Sequence, residues 1–144
     1  MKRILLKVAY DGTNYYGWQK QPDVTTIEGT INETLSQILK EDISIIGASR
    51  TDAGVHALCN IAVFDADSKI PPEKIAFALN RKLPRDIVIQ ESKEVPMDFH
   101  PRDSKSIKTY EYAILNTKLP LPTKRLYTYH VHKDINLDDM RTAA

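Results

Sequence analysis

A chain of 144 residues, 42% of them hydrophobic, is long enough for one buried core but short for two full domains. Its 20 Lys+Arg against 19 Asp+Glu leave a net charge of +1, so no global charge field announces a polyanionic partner and any nucleic-acid surface must be a local patch. The single cysteine, Cys59, excludes an intramolecular disulfide, and no Cys/His spacing of the zinc type is present, which favours a reducing compartment and no metal.

The apolar stretch Ile4 to Ala9 behind Met1-Lys2-Arg3 is too short for a signal segment or a membrane span, and a cytoplasmic protein is expected. Within residues 3–10, Ile4, Leu6, Val8 and Tyr10 alternate at period two, the pattern of a strand with one buried face. Asp11-Gly12-Thr13 ends it. Thr25 or Thr26 offers an N-cap, Thr25 and Glu28 have capping-box spacing, and Ile27, Ile31, Leu35, Ile38 and Leu39 recur at helical intervals.

Two β-rich runs follow, Ile43 to Ile46 and Ile61 to Phe64, joined by the polar segment Ser49 to His56. Pro71-Pro72 suits a helix entrance, and Ile75, Ala78, Leu79 and Leu83 make a stripe that predicts a helix from Pro72 to about Lys82. Ile87 to Ile89 is a fourth strand. The order β-α-β-β-α-β is that of an α+β, ferredoxin-like (RRM-like) antiparallel sheet with two helices on one face, the other face staying free.

Residues 1–100 are expected to form this domain and residues 101–144 the first elements of a second, incomplete one. In that second part a strand over 109–115 would place Tyr110, Tyr112 and Ile114 on one face, a short β-like run covers 127–131, and Asn136 caps a helix over 137–144 that is too short to be stable alone. The chain reads as cut inside an element. Between Pro101 and Lys133 seven Lys/Arg stand against Asp103 and Glu111, interleaved with four of the seven tyrosines, a pattern that suits a solvated face or nucleic-acid contact equally.

The chemistry is concentrated in Gly47-Ala48-Ser49-Arg50-Thr51-Asp52-Ala53-Gly54-Val55-His56-Ala57, a polar, glycine-bearing loop between two apolar strands. Arg50 and Asp52 stand two apart, so an extended loop can aim both into one cleft, where a guanidinium would keep the carboxylate ionised and nucleophilic. From spacing alone, a surface ion pair beside an Asx turn is the plainer reading.

This loop resembles the signature loop of the TruA-type tRNA pseudouridine synthases. Tyr10-Asp11-Gly12-Thr13 with Tyr16-Gly17-Trp18-Gln19, Asn80 with Leu83-Pro84-x-Asp86-Ile87, Val95-Pro96 through Phe99-His100, and Tyr110-x-Tyr112 continue the likeness in the same order over essentially the whole chain. The resemblance implies an isomerase that converts uridine to pseudouridine in the tRNA anticodon stem-loop, at positions 38, 39 and 40 of the tRNA, without cofactor or metal. By the same likeness Asp52 is the catalytic nucleophile and Arg50 pairs with it and helps the target nucleotide leave the helix. Tyr110 would pack against the base, where strand alternation alone suggests an ordinary sheet tyrosine. His100 and Arg102 would lie where the family contacts RNA.

His56 is expected to order the loop by hydrogen bonding rather than to act as a base. Trp18, with Tyr15 and Tyr16, fits nucleotide stacking or, as a lone Trp after a strand, the anchoring of a core edge. Cys59 reads as a small buried hydrophobe. Ser49, Pro101 and Lys108-Thr109 depart from residues frequent in the family, and none of these departures removes a named catalytic group. Family members also carry a second half that walls the cleft, and act as homodimers with one tRNA spanning both subunits, so weak or no turnover is expected of these residues by themselves. The rival reading is a non-catalytic RRM-like RNA-binding module, against which Cys59-Asn60-Ile61-Ala62-Val63-Phe64 lacks the aromatic RNP1 pattern. A small-molecule enzyme on the same fold lacks a Gly-rich phosphate loop or metal cluster.

Overall fold

A computed structural model of the chain describes residues 1–103 and 106–144. They form two compact units, Met1–Lys105 and Ser106–Ala144. The first is built on a four-stranded antiparallel sheet of β1 (Lys2–Tyr10), β2 (Ile46–Gly47), β3 (Ala57–Ala66) and β4 (Ile87–Val95), in the spatial order β2-β3-β1-β4. Helices α1 (Ile27–Leu39) and α2 (Ile75–Asn80) separate β1 from β2 and β3 from β4. The expected order of elements is present.

The period-two pattern of β1 decides the core. Ile4, Leu6, Val8 and Tyr10 are all at most 5% exposed, and they pack with Ile27, Ile31 and Leu35 of α1 and Ile75, Ala76 and Leu79 of α2, so both helices cover one face of the sheet. β1 holds the centre because it pairs on both edges, with Leu6 opposite Ala62 of β3 and Ser92 of β4. At about 1.5–3 kcal/mol for each large aliphatic side chain taken out of water, this face is the main source of the unit's stability.

Helix α1 starts at Thr26, whose Oγ1 accepts the Gly29 N–H at 3.2 Å. The capping box between Thr25 and Glu28 does not form, because the Glu28 carboxylate accepts the Lys20 N–H at 2.6 Å instead. The strand expected over 43–46 is reduced to Ile46–Gly47. Ser36 Oγ takes the Ile43 N–H and Asn32 Oδ1 takes the Ile45 N–H, both at 2.9 Å, so polar side chains of α1 use donors that a strand would give to its neighbour. Ile43 and Ile45 still enter the core.

α2 is likewise shorter than expected, opening with a 3-10 turn at Pro72–Lys74 and ending at Asn80. The Asn80 side chain donates to the Ile89 carbonyl and accepts the Ile89 N–H, both at 2.8 Å, and Ser92 Oγ accepts the Ala76 N–H at 2.8 Å, which pins α2 to β4. β3 and β4 extend well beyond their apolar runs. Charge pairs hold part of what they add: Arg3 donates twice to Asp65 at 2.7 Å, Lys7 once to Glu91 at 3.1 Å, and Lys2 lies 3.2 Å from Glu94.

The face opposite the helices is not wholly free. Leu5 and Val63, partners across β1 and β3, are 7% and 0% exposed there. The segment after β4 crosses that end of the face: the Arg3 guanidinium donates to the Phe99 carbonyl at 3.0 Å, Pro101 is buried, and Arg102 Nε donates to the Gly47 carbonyl at 3.0 Å. Residues up to 103 therefore belong physically to the first unit. Cys59 is exposed rather than buried. The β1–β3 register slips between Val8 and Tyr10, so Leu58 and Cys59 together oppose Ala9, and this bulge turns both outward.

In the second unit β5 (Ile114–Asn116) pairs in parallel with β6 (Tyr129–Val131), and α3 (Leu137–Ala143) is capped by Asn136, whose Oδ1 accepts from the Asp138 and Asp139 amides. Of the run expected over 109–115 only Ile114 and Leu115 are strand, and Tyr110 and Tyr112 are 79% and 75% exposed. The Ala113 carbonyl still accepts the Tyr129 N–H at 2.8 Å, so the pairing with β6 reaches back to that residue. Among the described residues no helix is long and apolar enough to cross a membrane.

Candidate active site

The loop between β2 and β3 carries Arg50 and Asp52, and backbone bonds hold it along its length. Beyond β2 the pairing continues for one residue, with the Ala48 N–H on the Ile61 carbonyl at 2.7 Å, and the buried Asn60 amide donates to the Ser49 carbonyl at 2.9 Å. The Trp18 N–H then donates to the Thr51 carbonyl at 3.0 Å, and the Tyr10 hydroxyl meets Thr51 Oγ1 at 2.8 Å. Burial pushes the Tyr10 phenol up, against the opposing effect of its bonds to Thr51 and Asn60, so it stays a neutral partner for Thr51. Asp52 itself closes a turn, its carbonyl accepting the Val55 N–H at 3.2 Å across Gly54, which has φ +77°.

The segment after β1 supplies the other wall. The Gly12 N–H donates to His56 Nδ1 at 3.0 Å. Asp11 Oδ1 lies 3.0 Å from the same nitrogen. The ordering role expected of His56 is thus met by a bond to the neighbouring loop. A Cβ on Gly12 would overlap the Val55 carbonyl oxygen, and one on Gly47 would lie 2.5 Å from Trp18 Nε1, so the two loops and the indole pack at backbone distance. Trp18 is 2% exposed and its ring centroid lies 5.8 Å from that of Tyr10. It is the core anchor and not a stacking platform.

Between these walls opens a cavity of about 320 Å³ lined by Tyr16, Gln19, Gln21, Arg50, Thr51, Asp52 and Ala53. That is the lower end of the size range of ligand pockets. A larger hollow of about 500 Å³ runs beside α1, lined by Lys20, Glu33, Asp42 and several hydroxyls. It holds no residue of the Asp52 loop, and its mixed charges offer no evident chemistry, so the smaller cavity is the candidate site.

The model of the tRNA pseudouridine synthase family matches residues 7–102, from within β1 to the segment that crosses the sheet, with the Asp52 loop inside the match. The chain belongs to that family. Over 144 residues it is 44% identical to the tRNA pseudouridine synthase A of Thermoanaerobacter sp. (strain X514), covering all of this chain and 59% of that protein. It is 51% identical to the tRNA pseudouridine synthase A 2 of Clostridium tetani over 99% of this chain and 58% of that protein, and 46% identical to the tRNA pseudouridine synthase A of Acetivibrio thermocellus over 100% and 59%. The chain therefore spans about three fifths of the length of these curated relatives.

In this member of the family, Asp52 and Arg50 line one cavity and both are exposed, yet among the described residues no ion pair joins them. His100 and Arg102 lie on the segment that crosses the sheet, where His100 Nδ1 accepts the Arg102 N–H at 3.3 Å and Asp103 stands 3.4 Å from the same nitrogen. Arg102 reaches Gly47, at the head of the Asp52 loop. Tyr110 belongs to the second unit and is exposed there. Gln19 and Gln21 line the cavity without having been singled out. Gln19 stands in a motif whose individual roles no spacing reveals, and Gln21 carries no signal at all. Among the described residues no group of acidic, Cys or His side chains is arranged to hold a metal ion.

Proposed function

We propose that this chain supplies the catalytic part of a tRNA pseudouridine synthase, which isomerises uridine to pseudouridine at positions 38, 39 and 40 of the tRNA anticodon arm with Asp52 as nucleophile. The observation that carries this reading is the placement of an exposed Asp52 in a nucleoside-sized cavity, on a loop fixed by backbone bonds on both sides. Preorganisation of this kind places a reacting group without further ordering when substrate arrives. The N1–C1′ bond of uridine breaks, the base turns, a C5–C1′ bond forms, and the proton lost from C5 is balanced by one gained at N1. Asp52 attacks the nucleoside and leaves again, so no redox partner is consumed.

Arg50, in the same cavity, would help the target nucleotide out of its stack, and Tyr110 would pack against the released base. His100 and Arg102 would contact RNA. Arg102 combines that with its bond to Gly47, because a guanidinium carries several N–H donors in a fixed fork. The β-α-β-β-α-β order, the strand order β2-β3-β1-β4 and both helices on one face support a ferredoxin-like domain, with residues beyond about 100 opening a second one. A cytoplasmic homodimer acting on tRNA without cofactor completes the proposal.

The rival binding module would read single strands with aromatics on the outer sheet face. β1 presents Arg3, Leu5, Lys7 and Ala9 there and β3 presents Ile61 and Val63, none of them aromatic. The two readings part on incubation with tRNA transcripts followed by nucleoside chromatography. The synthase converts uridine in the anticodon arm to pseudouridine, whereas a tRNA that is bound but chemically unchanged would overturn this proposal.

A further inference from the structure

The Asp52 loop leans on residues 11–18, and those residues lean on a carboxylate remote in sequence. The hydroxyl of Tyr15, 6% exposed, donates to Asp86 Oδ1 at 2.6 Å across 71 positions, a distance typical of a charge-assisted bond. Asp86 also accepts from the Asn14 side chain at 3.4 Å, and its carbonyl accepts the Asp11 N–H at 2.9 Å. One residue at the head of β4 thus grips the segment by three bonds. That segment passes the grip on, since the Tyr15 carbonyl accepts the Gly54 N–H at 3.2 Å and the Trp18 N–H holds the Thr51 carbonyl at 3.0 Å. These two bonds flank Asp52. Asp86 lines no part of the Asp52 cavity, so it does not act on the reacting atoms directly.

We infer that Tyr15 and Asp86 are a positioning pair for the synthase reaction, fixing the backbone on both sides of Asp52 through residues 11–18. This rests on Asp52 being the nucleophile. Burial, before the Asp86 bond itself, pushes the Tyr15 phenol well above the ordinary tyrosine range, so it remains a donor throughout the working pH range. The bond is local to the loop system: the ladder between β1 and β3 runs without it, and Tyr15→Phe keeps the ring that Tyr15 gives to the core.

The test combines Tyr15→Phe, which deletes the bond, with Asp86→Asn, which keeps an oxygen acceptor of the same shape. Amide hydrogen exchange at Gly54, Trp18 and Leu6 and the kcat and KM for uridine isomerisation in tRNA are measured for each. In Tyr15→Phe the Gly54 and Trp18 amides should exchange faster while Leu6 keeps its protection, and kcat should fall roughly 10- to 100-fold with KM little changed, the scale set by small misplacements of a reacting group. Asp86→Asn should recover most of both. Unchanged exchange at Gly54, or protection lost equally at Leu6, overturns the inference. Absence of isomerisation by the parent protein would instead sink the proposed function, and the exchange pattern would still decide whether the pair holds the loop.

Discussion

A methyl group on residue 17 would sit 2.5 Å from the Thr51 carbonyl oxygen, and the backbone there has φ +83°. Both facts demand glycine, one steric and one conformational. Gly17→Ala should therefore cost about 1–3 kcal/mol of stability and displace the residue before Asp52. Urea unfolding read by Trp18, the chain's single tryptophan, checks the first part, and an unchanged midpoint would contradict it. At this scale Asp52 is singled out only by the likeness of its loop to the family's signature, since spacing alone favours a surface ion pair with Arg50, and among the described residues none joins them. The sequence conceals the Tyr10 hydroxyl on Thr51, since a strand residue facing the core looks the same whether or not its far end bonds a loop. It misplaces Cys59, because a register slip between Val8 and Tyr10 leaves no mark in alternation.

Between β1 and β3 the two-point bond of Arg3 to Asp65 decides how the sheet edge responds to acid. The Arg3 bond holds the Asp65 carboxyl below the usual carboxylate range. A depressed folded value gives stability that is fully present above the unfolded carboxylate pKa of about 3.9 and is lost as pH falls through the lower folded value. Asp65→Asn should thus lower thermal stability at neutral pH and flatten its dependence on pH in the acid range, whereas parallel pH profiles for variant and parent would contradict this. In the centre of β1, Leu6→Ala should cost about 2–5 kcal/mol, readable as a lower denaturant midpoint with an unchanged slope. The long amphipathic elements are legible because their period survives any partner. The strand expected over 43–46 is not, because the donors at Ile43 and Ile45 go to side chains of α1 rather than to a strand. The outer length of β4 is hidden for another reason, its charged residues being held by cross-strand pairs with Lys7 and Lys2.

The two units differ in what holds them. The first has a core whose central side chains are fully buried, while the second has two three-residue strands and the seven-residue α3, none of whose residues is buried. Hydrogen exchange should reflect this, with Leu6 and Ala62 protected near the global limit and Val131 and Met140 exchanging orders of magnitude faster. Equal protection in both units would contradict that division of stability. The division itself is only partly visible in sequence, because residues 96–103 read as an irregular link while Arg3 and Gly47 bind them to the sheet. For the molecule as a whole, the proposed isomerisation turns on Asp52. The most direct measurement is tritium release from C5-labelled uridine in tRNA transcripts, with the protein in stoichiometric amount so that even a slow first event is seen. Release by the parent that vanishes in Asp52→Ala is the predicted result; release that persists undiminished in the variant would contradict it.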